Sequence, residues 1–128
     1  MRFPVLLALL LAACASGPSD PDRRDAVALE RELSGRVAGA PVRCVSAPPS
    51  NDFRAVSGGT FAMTRGDTIW INRPGGECPG FRPWSTLLVE AQGGQYCRGD
   101  HVRPLDPGSS IAGPICVLGD FVPYRRAP

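Results

Sequence analysis

The residues of this 128-residue chain with the most chemistry to offer are five cysteines, at positions 14, 44, 78, 97 and 116, and one histidine, His101. A thiolate can attack, ligate a metal or end in a disulfide, and an imidazole can shuttle protons near neutral pH. Nucleophilic catalysis would need a base oriented by a carboxylate, with a Ser or Cys inside its reach. His101 follows Asp100, but no G-x-S-x-G elbow is present, and Glu90 and Asp106 read as ordinary surface charge. His101 is therefore expected to be a paired strand histidine, and no enzymatic activity is expected. There is no Lys, which removes Schiff-base chemistry and the phosphate-binding lysine of a Walker loop. The last four cysteines are separated by 34, 19 and 19 positions, unlike the closely paired ligands of structural zinc. Neither a metal nor an organic cofactor is expected.

The start of the chain bears on what those thiols do. Arg2 precedes an apolar run from Phe3 to Ala13, the order of charged, apolar and small residues in a secretory signal. Such a run, as helix, reaches only about 16 Å, roughly half of a bilayer's hydrocarbon core, so it is too short for a transmembrane anchor. It ends in Leu11-Ala12-Ala13-Cys14, which resembles the lipobox of bacterial lipoproteins. That resemblance implies removal of residues 1–13 and lipid attachment at Cys14, whose acyl chains would hold the protein on a membrane. Ala15 stands where Asp often marks inner-membrane retention, so the resemblance favours the outer membrane, facing the periplasm. In an exported domain of this size, an even set of cysteines reads as a disulfide framework. Cys44, Cys78, Cys97 and Cys116 are thus expected to form two disulfides.

Positioning those pairs needs a scaffold. Residues 14–25 read as a polar, Pro-containing flexible tether. Ala26, Leu29, Leu33 and Val37 repeat at helical spacing, which predicts an amphipathic helix over 26–39, stopped by Gly39 and Pro41. From 40 to 128 the texture is β. Short strands are expected at 42–46, 53–56, 60–64 and 68–72, the last two joined by a hairpin at Arg65-Gly66-Asp67. A second hairpin is expected between 86–91 and 95–105 around Gln92-Gly93-Gly94, and a last strand from Ile115 to about Val122. With 15 Gly and 14 Pro punctuating them, these strands predict a mainly β fold, a small antiparallel barrel or sandwich. Trp70, Trp84, Phe53, Phe61, Phe81, Phe121 and Tyr96 are assigned to its core rather than to a groove. Four cysteines allow three pairings. Closure of a barrel would join the first and last strands, which selects Cys44–Cys116 and leaves Cys78–Cys97 between two similar loops. Arg-Gly-Asp recurs at 98–100, and both copies read as turn chemistry.

A net charge of +2 is too balanced to argue for nucleic acid as a partner. From Arg43 onward the chain resembles a family of small proteobacterial four-cysteine envelope proteins of unknown function. The matching segments are Arg43-Cys44-Val45-Ser46, Asp67-Thr68-Ile69, Cys78-Pro79-Gly80-Phe81-Arg82, Cys97-Arg98-Gly99-Asp100 and Cys116-Val117-Leu118-Gly119-Asp120-Phe121-Val122-Pro123. The resemblance implies one exported, disulfide-tied domain and no particular activity. The expected function is a non-enzymatic binding or structural module of the cell envelope, whose partners would be the membrane and an envelope protein or peptidoglycan. The other class in view is an inhibitor of a cell-wall hydrolase or protease, for which a rigid exposed loop at 74–82 would be the sign.

Overall fold

The computed structural model describes residues 20–49, 52–56, 59–76 and 78–128. The leader over 1–13, Cys14 and the tether as far as residue 19 lie outside the described residues. Helix α1 spans Asp20–Leu33. The strands are β1 (Arg36–Ala38), β2 (Cys44–Ser46), β3 (Phe53–Val56), β4 (Thr60–Arg65), β5 (Thr68–Asn72), β6 (Thr86–Glu90), β7 (Gln95–Cys97), β8 (His101–Leu105), β9 (Cys116–Val117) and β10 (Phe121–Arg126). No helix among the described residues is long and apolar enough to cross a membrane.

The helix departs from its expected bounds of 26–39 at both ends. Its first turn takes in residues assigned to the tether, because Pro21 there leaves no intrahelical hydrogen bond unmade. Its last turn closes with Ser34 N–H donating to Arg31 O at 3.2 Å, and Gly35 follows at φ 72°. A glycine in that left-handed conformation is a helix stop, so Val37 leaves the helical stripe and enters β1. Leu29 alone of the apolar stripe is buried, against Val56, Ala62, Ile69 and Ile71.

Those four residues form one face of a five-stranded antiparallel sheet in the order β1-β10-β5-β4-β3. The opposite face carries Phe53, Ala55, Phe61, Met63 and Phe121, packed on Val45, Val102, Cys116 and Leu118 from a second layer. That layer comprises a two-stranded sheet, β2-β7, and a three-stranded sheet, β6-β8-β9. The fold is a mainly β, sandwich-like arrangement of antiparallel sheets, not a closed barrel. Because the large sheet is covered on both sides, Phe61, Ala62 and Met63 are all fully buried although they alternate in direction along β4.

Two devices join the layers. The chain leaves β1 at Ala38, opposite Tyr124, and makes its next bridge at Val42, opposite Phe121. One extra residue lies on that side, a bulge that turns the chain toward β2. Gly39 donates to Pro123 O at 2.7 Å there, and a side chain at 39 would press on the Pro123 ring. At the other end, buried Asn72 accepts from Gly119 N–H at 2.9 Å and donates to Gly119 O at 2.7 Å. A Cβ at 119 would stand 2.6 Å from Arg73 O, so only glycine permits this approach.

The hairpin β4–β5 forms as expected, with Arg65 opposite Thr68 and Gly66 at φ 55° in a two-residue turn. The second hairpin is different. β6 pairs with β8, placing Glu90 opposite His101 and Val89 opposite Val102. The glycines at 93 and 94 do turn the chain, at φ 66° and 72°, but into a side arm rather than back along β6. Its strand β7 pairs with β2, and a turn at Arg98-Gly99-Asp100 returns the chain to β8.

This arm decides the cysteine pairing. Cys44 lies directly opposite Cys97 and is bonded to it, with Cα atoms 4.0 Å apart. Arg98 N–H donates to Arg43 O and Ala47 N–H to Gly94 O, so Cys44 and Cys97 form the intervening non-hydrogen-bonded pair. In that pair opposed side chains come closest. The second disulfide joins Cys78 to Cys116, with Cα atoms 5.5 Å apart. The expected pairs Cys44–Cys116 and Cys78–Cys97 are therefore replaced. They rested on barrel closure, and the sheets do not close. The expected single strand from 115 to 122 is also broken, into β9 and β10, by the Gly119 clamp on Asn72.

Candidate functional site: a groove beside the Cys78–Cys116 disulfide

The long loop between β5 and β6 is fastened at three points. Cys78 is bonded to Cys116. The Phe81 ring stands edge-on to Phe61, with centroids 5.0 Å apart. Ser85 Oγ donates to Asp106 Oδ1 at 2.6 Å and accepts from Arg82 N–H at 3.1 Å. Around these anchors Gly75, Gly76, Pro79, Gly80 and Arg82 are exposed. Trp84 is 63% exposed, which removes it from the core to which the sequence assigned it. A pinned backbone with an open surface loses little conformational entropy on binding.

Between this loop and the β9–β10 link runs a groove of about 570 Å³, lined by Arg73, Gly76, Arg98, Val117 and Asp120 among others. Arg98 Nη1 is 3.3 Å from Asp120 Oδ2. Both side chains are well solvated, so the pair contributes under about 1 kcal/mol and is free to rearrange. Ile115 and Val117 are half exposed beside it. They alternate with buried Cys116 and Leu118, a pattern readable in the sequence as one outward and one inward face. Arg73 and Asp120 carry no sequence signal that sets them apart. The groove combines guanidinium groups, an apolar strip and backbone, which suits contact with a polypeptide or another amphipathic group.

The outer face of β6-β8-β9 continues this surface. Leu88, 42% exposed, stands opposite Arg103, whose guanidinium donates to Gly113 O at 2.8 Å and Ala112 O at 3.3 Å. His101 lies on the same face, its Nδ1 3.5 Å from Glu90 Oε2, with both side chains exposed. The histidine is paired, as expected, but with the cross-strand glutamate. The Asp100 carboxylate instead accepts from Cys97 N–H at 2.8 Å and closes the turn. The shallow depression beside His101, about 340 Å³, is lined by Glu90, Ala91, Gln92, Gly99, Asp100 and His101. No hydroxyl or thiol is among those groups. Replacing His101 with Ala is expected to change unfolding free energy by less than about 0.5 kcal/mol, as for an exposed site, and to leave the cellular role intact. Loss of that role at unchanged stability would show the imidazole to be functional.

Among the described residues no three His, Cys, Asp or Glu side chains gather into a metal-ion site. The two Arg-Gly-Asp segments both sit in turns, one at the β4–β5 tip and one after β7. Family models, curated proteins and solved structures provide no match to the chain.

Proposed function

We propose that the protein is a lipid-anchored, non-enzymatic binding module of the bacterial cell envelope. Acyl chains on Cys14 would hold it on the outer membrane, facing the periplasm, where it would engage an envelope protein or peptidoglycan. The observation that carries the reading is the surface built around the disulfide-fastened loop after β5. It is fixed, solvent-facing and mixed in character, with an open groove beside it. Disulfides of this kind persist in oxidising compartments, in keeping with the leader and the lipobox resemblance. The resemblance to small four-cysteine envelope proteins supports the same reading.

A second reading draws on the same loop. An exposed segment held rigid at both ends is how a small domain occupies an enzyme's cleft, so inhibition of a cell-wall hydrolase or protease is the alternative. Cross-linking in native membranes distinguishes the two: a hydrolase captured through residues 74–84 favours inhibition, and a structural envelope component favours the module.

The anchor has its own test. Cys14→Ser is expected to abolish lipid labelling and to release the protein from membranes or leave it as an uncleaved precursor. Normal lipid labelling of that variant would overturn the anchoring.

A further inference from the structure

The two edges of the β2-β7 sheet are treated differently. Along β7 the outer edge is closed: Cys97 N–H donates to the Asp100 carboxylate, Cys97 O accepts from Asp100 N–H at 3.0 Å, and Gln95 N–H turns onto Gln92 O. Along β2 it is open. The bonds from Arg98 to Arg43 and from Ala47 to Gly94 point the odd-numbered residues of β2 at β7. In an antiparallel ladder the residues between them then point their N–H and C=O groups the other way. Cys44 and Ser46 are those residues. Of their four backbone groups, only Ser46 O has a partner among the described residues, the Arg65 guanidinium at 3.0 Å.

This open edge faces a groove of about 350 Å³ whose other wall is the end of the β4–β5 hairpin. Val42 and Trp70 supply its apolar surface, and Arg65 and Thr68 its polar rim. The Arg125 guanidinium lies 5.7 Å from the centre of the Trp70 ring. No carboxylate lines the groove among the described residues. A free strand edge beside apolar surface is a template for an added strand, and the Arg65 guanidinium at its rim, with no carboxylate among the described lining residues, selects its charge.

We infer that the outer edge of β2 is a docking site for an extended acidic peptide, which adds as a strand between β2 and the β4–β5 hairpin. The inference rests on the binding-module reading and names the chemistry of one partner. Successive outward-facing ladder positions on β2 lie about 6.7 Å apart, so every second peptide residue would pair with Cys44 and Ser46. A glutamate of the peptide would draw Arg65 off Ser46 O, and the vacated carbonyl would accept a peptide N–H. Its apolar residues would meet Val42 and Trp70. A second copy of the chain is a poor occupant, since antiparallel pairing of two β2 edges would bring two Arg65 side chains together.

The test is a titration of the oxidised full-length protein in detergent, nitrogen-15 labelled, with three capped hexapeptides. One alternates glutamate with valine, one alternates lysine with valine, and one is the glutamate peptide N-methylated along a single edge. The expected result is amide shifts and slowed exchange at Cys44 and Ser46 with the glutamate peptide. The lysine peptide should bind at least about tenfold more weakly, and Arg65→Ala should weaken the glutamate peptide by about tenfold, the size of a lost charge-assisted hydrogen bond. The edge-methylated peptide should lose binding to the unaltered protein, which keeps the test independent of how any variant folds. Equal affinity for the lysine peptide, no response at Cys44 and Ser46 at millimolar peptide, or self-association through β2 would each overturn the site. Peptide shifts confined to residues 73–78 would overturn it while leaving the module reading in place. An envelope partner cross-linked to Leu88 or Trp84 with no peptide effect at β2 would do the same.

Discussion

Replacing Cys44 and Cys97 together with alanine is expected to lower the free energy of unfolding by about 4 kcal/mol. The bond closes a loop of 53 residues. In the chain-entropy treatment a cross-link of that span removes roughly 4 kcal/mol of disorder from the unfolded state. The second bridge, Cys78–Cys116, spans 38 residues, and its removal should cost only a few tenths less. Domains of this size hold about 5–15 kcal/mol in all, so either loss consumes a large share. Local consequences should differ. β2 and β7 form a sheet of two strands, which is marginal without support, so losing Cys44–Cys97 should free the arm 92–100 first. Losing Cys78–Cys116 should instead loosen the loop after β5 and its groove. Urea unfolding of the oxidised protein and the two double variants measures the cost, and non-reducing peptide mapping reads the pairs. A cost under about 1 kcal/mol would show that the bridges do not constrain the unfolded chain as argued. Recovery of Cys44 linked to Cys116 would show the arm to be misplaced.

That arm is also where the sequence was hardest to read. Strand identity was legible because a short apolar run bounded by turn residues is a local signal: Phe61-Ala62-Met63 and Ile69-Trp70-Ile71 show it, with Gly66 at the turn between them. The partner of a strand is not local. Gln92-Gly93-Gly94 carries ordinary hairpin chemistry, and nothing within a few residues says that β7 will leave β6 for β2. The turn that sends the chain back, Arg98-Gly99-Asp100, was visible as a turn but not as a reversal of pairing. Once β7 is moved, the cysteine pairs follow, since Cys44 then faces Cys97 across the ladder. The helix end was misplaced for a simpler reason. Gly35 and Gly39 are both plausible stops, and Val37 fits a helical stripe as well as it fits a strand edge. The groove was legible only in part. Its loop was marked by Pro74-Gly75-Gly76 and Cys78-Pro79-Gly80, but Arg73, Arg98 and Asp120 meet there through long-range folding that spacing does not encode.

The packing that holds this assembly together can be tested at one ring. Phe61 is fully buried, with centroids 5.5 Å from Phe53 and 5.0 Å from Phe81. Phe61→Ala is expected to cost about 3–5 kcal/mol, the sum of lost transfer energy and the cavity left behind. The cavity should not collapse easily. Its neighbour Ala62 points to the other face of the sheet, where Ile71 and the helix hold β4 in place. Phe53 and Phe121 are themselves wedged, with centroids 6.3 Å apart. Phe81→Ala should cost less, because that ring is only half buried and anchors a surface loop. Its clearer effect should be faster proteolytic cleavage within 74–82 at temperatures where the sheet stays intact. In the double variant the two losses should fall short of additivity by about 0.5–1.5 kcal/mol, the worth of an edge-on aromatic pair. Full additivity would mean that Phe81 is not seated on Phe61 in solution, and the loop would lose one of its three anchors. A Phe61→Ala cost below about 1.5 kcal/mol would place the centre of the core elsewhere. Either result would weaken the case for a fixed surface beside Cys78, because the groove is only as rigid as the ring beneath its loop.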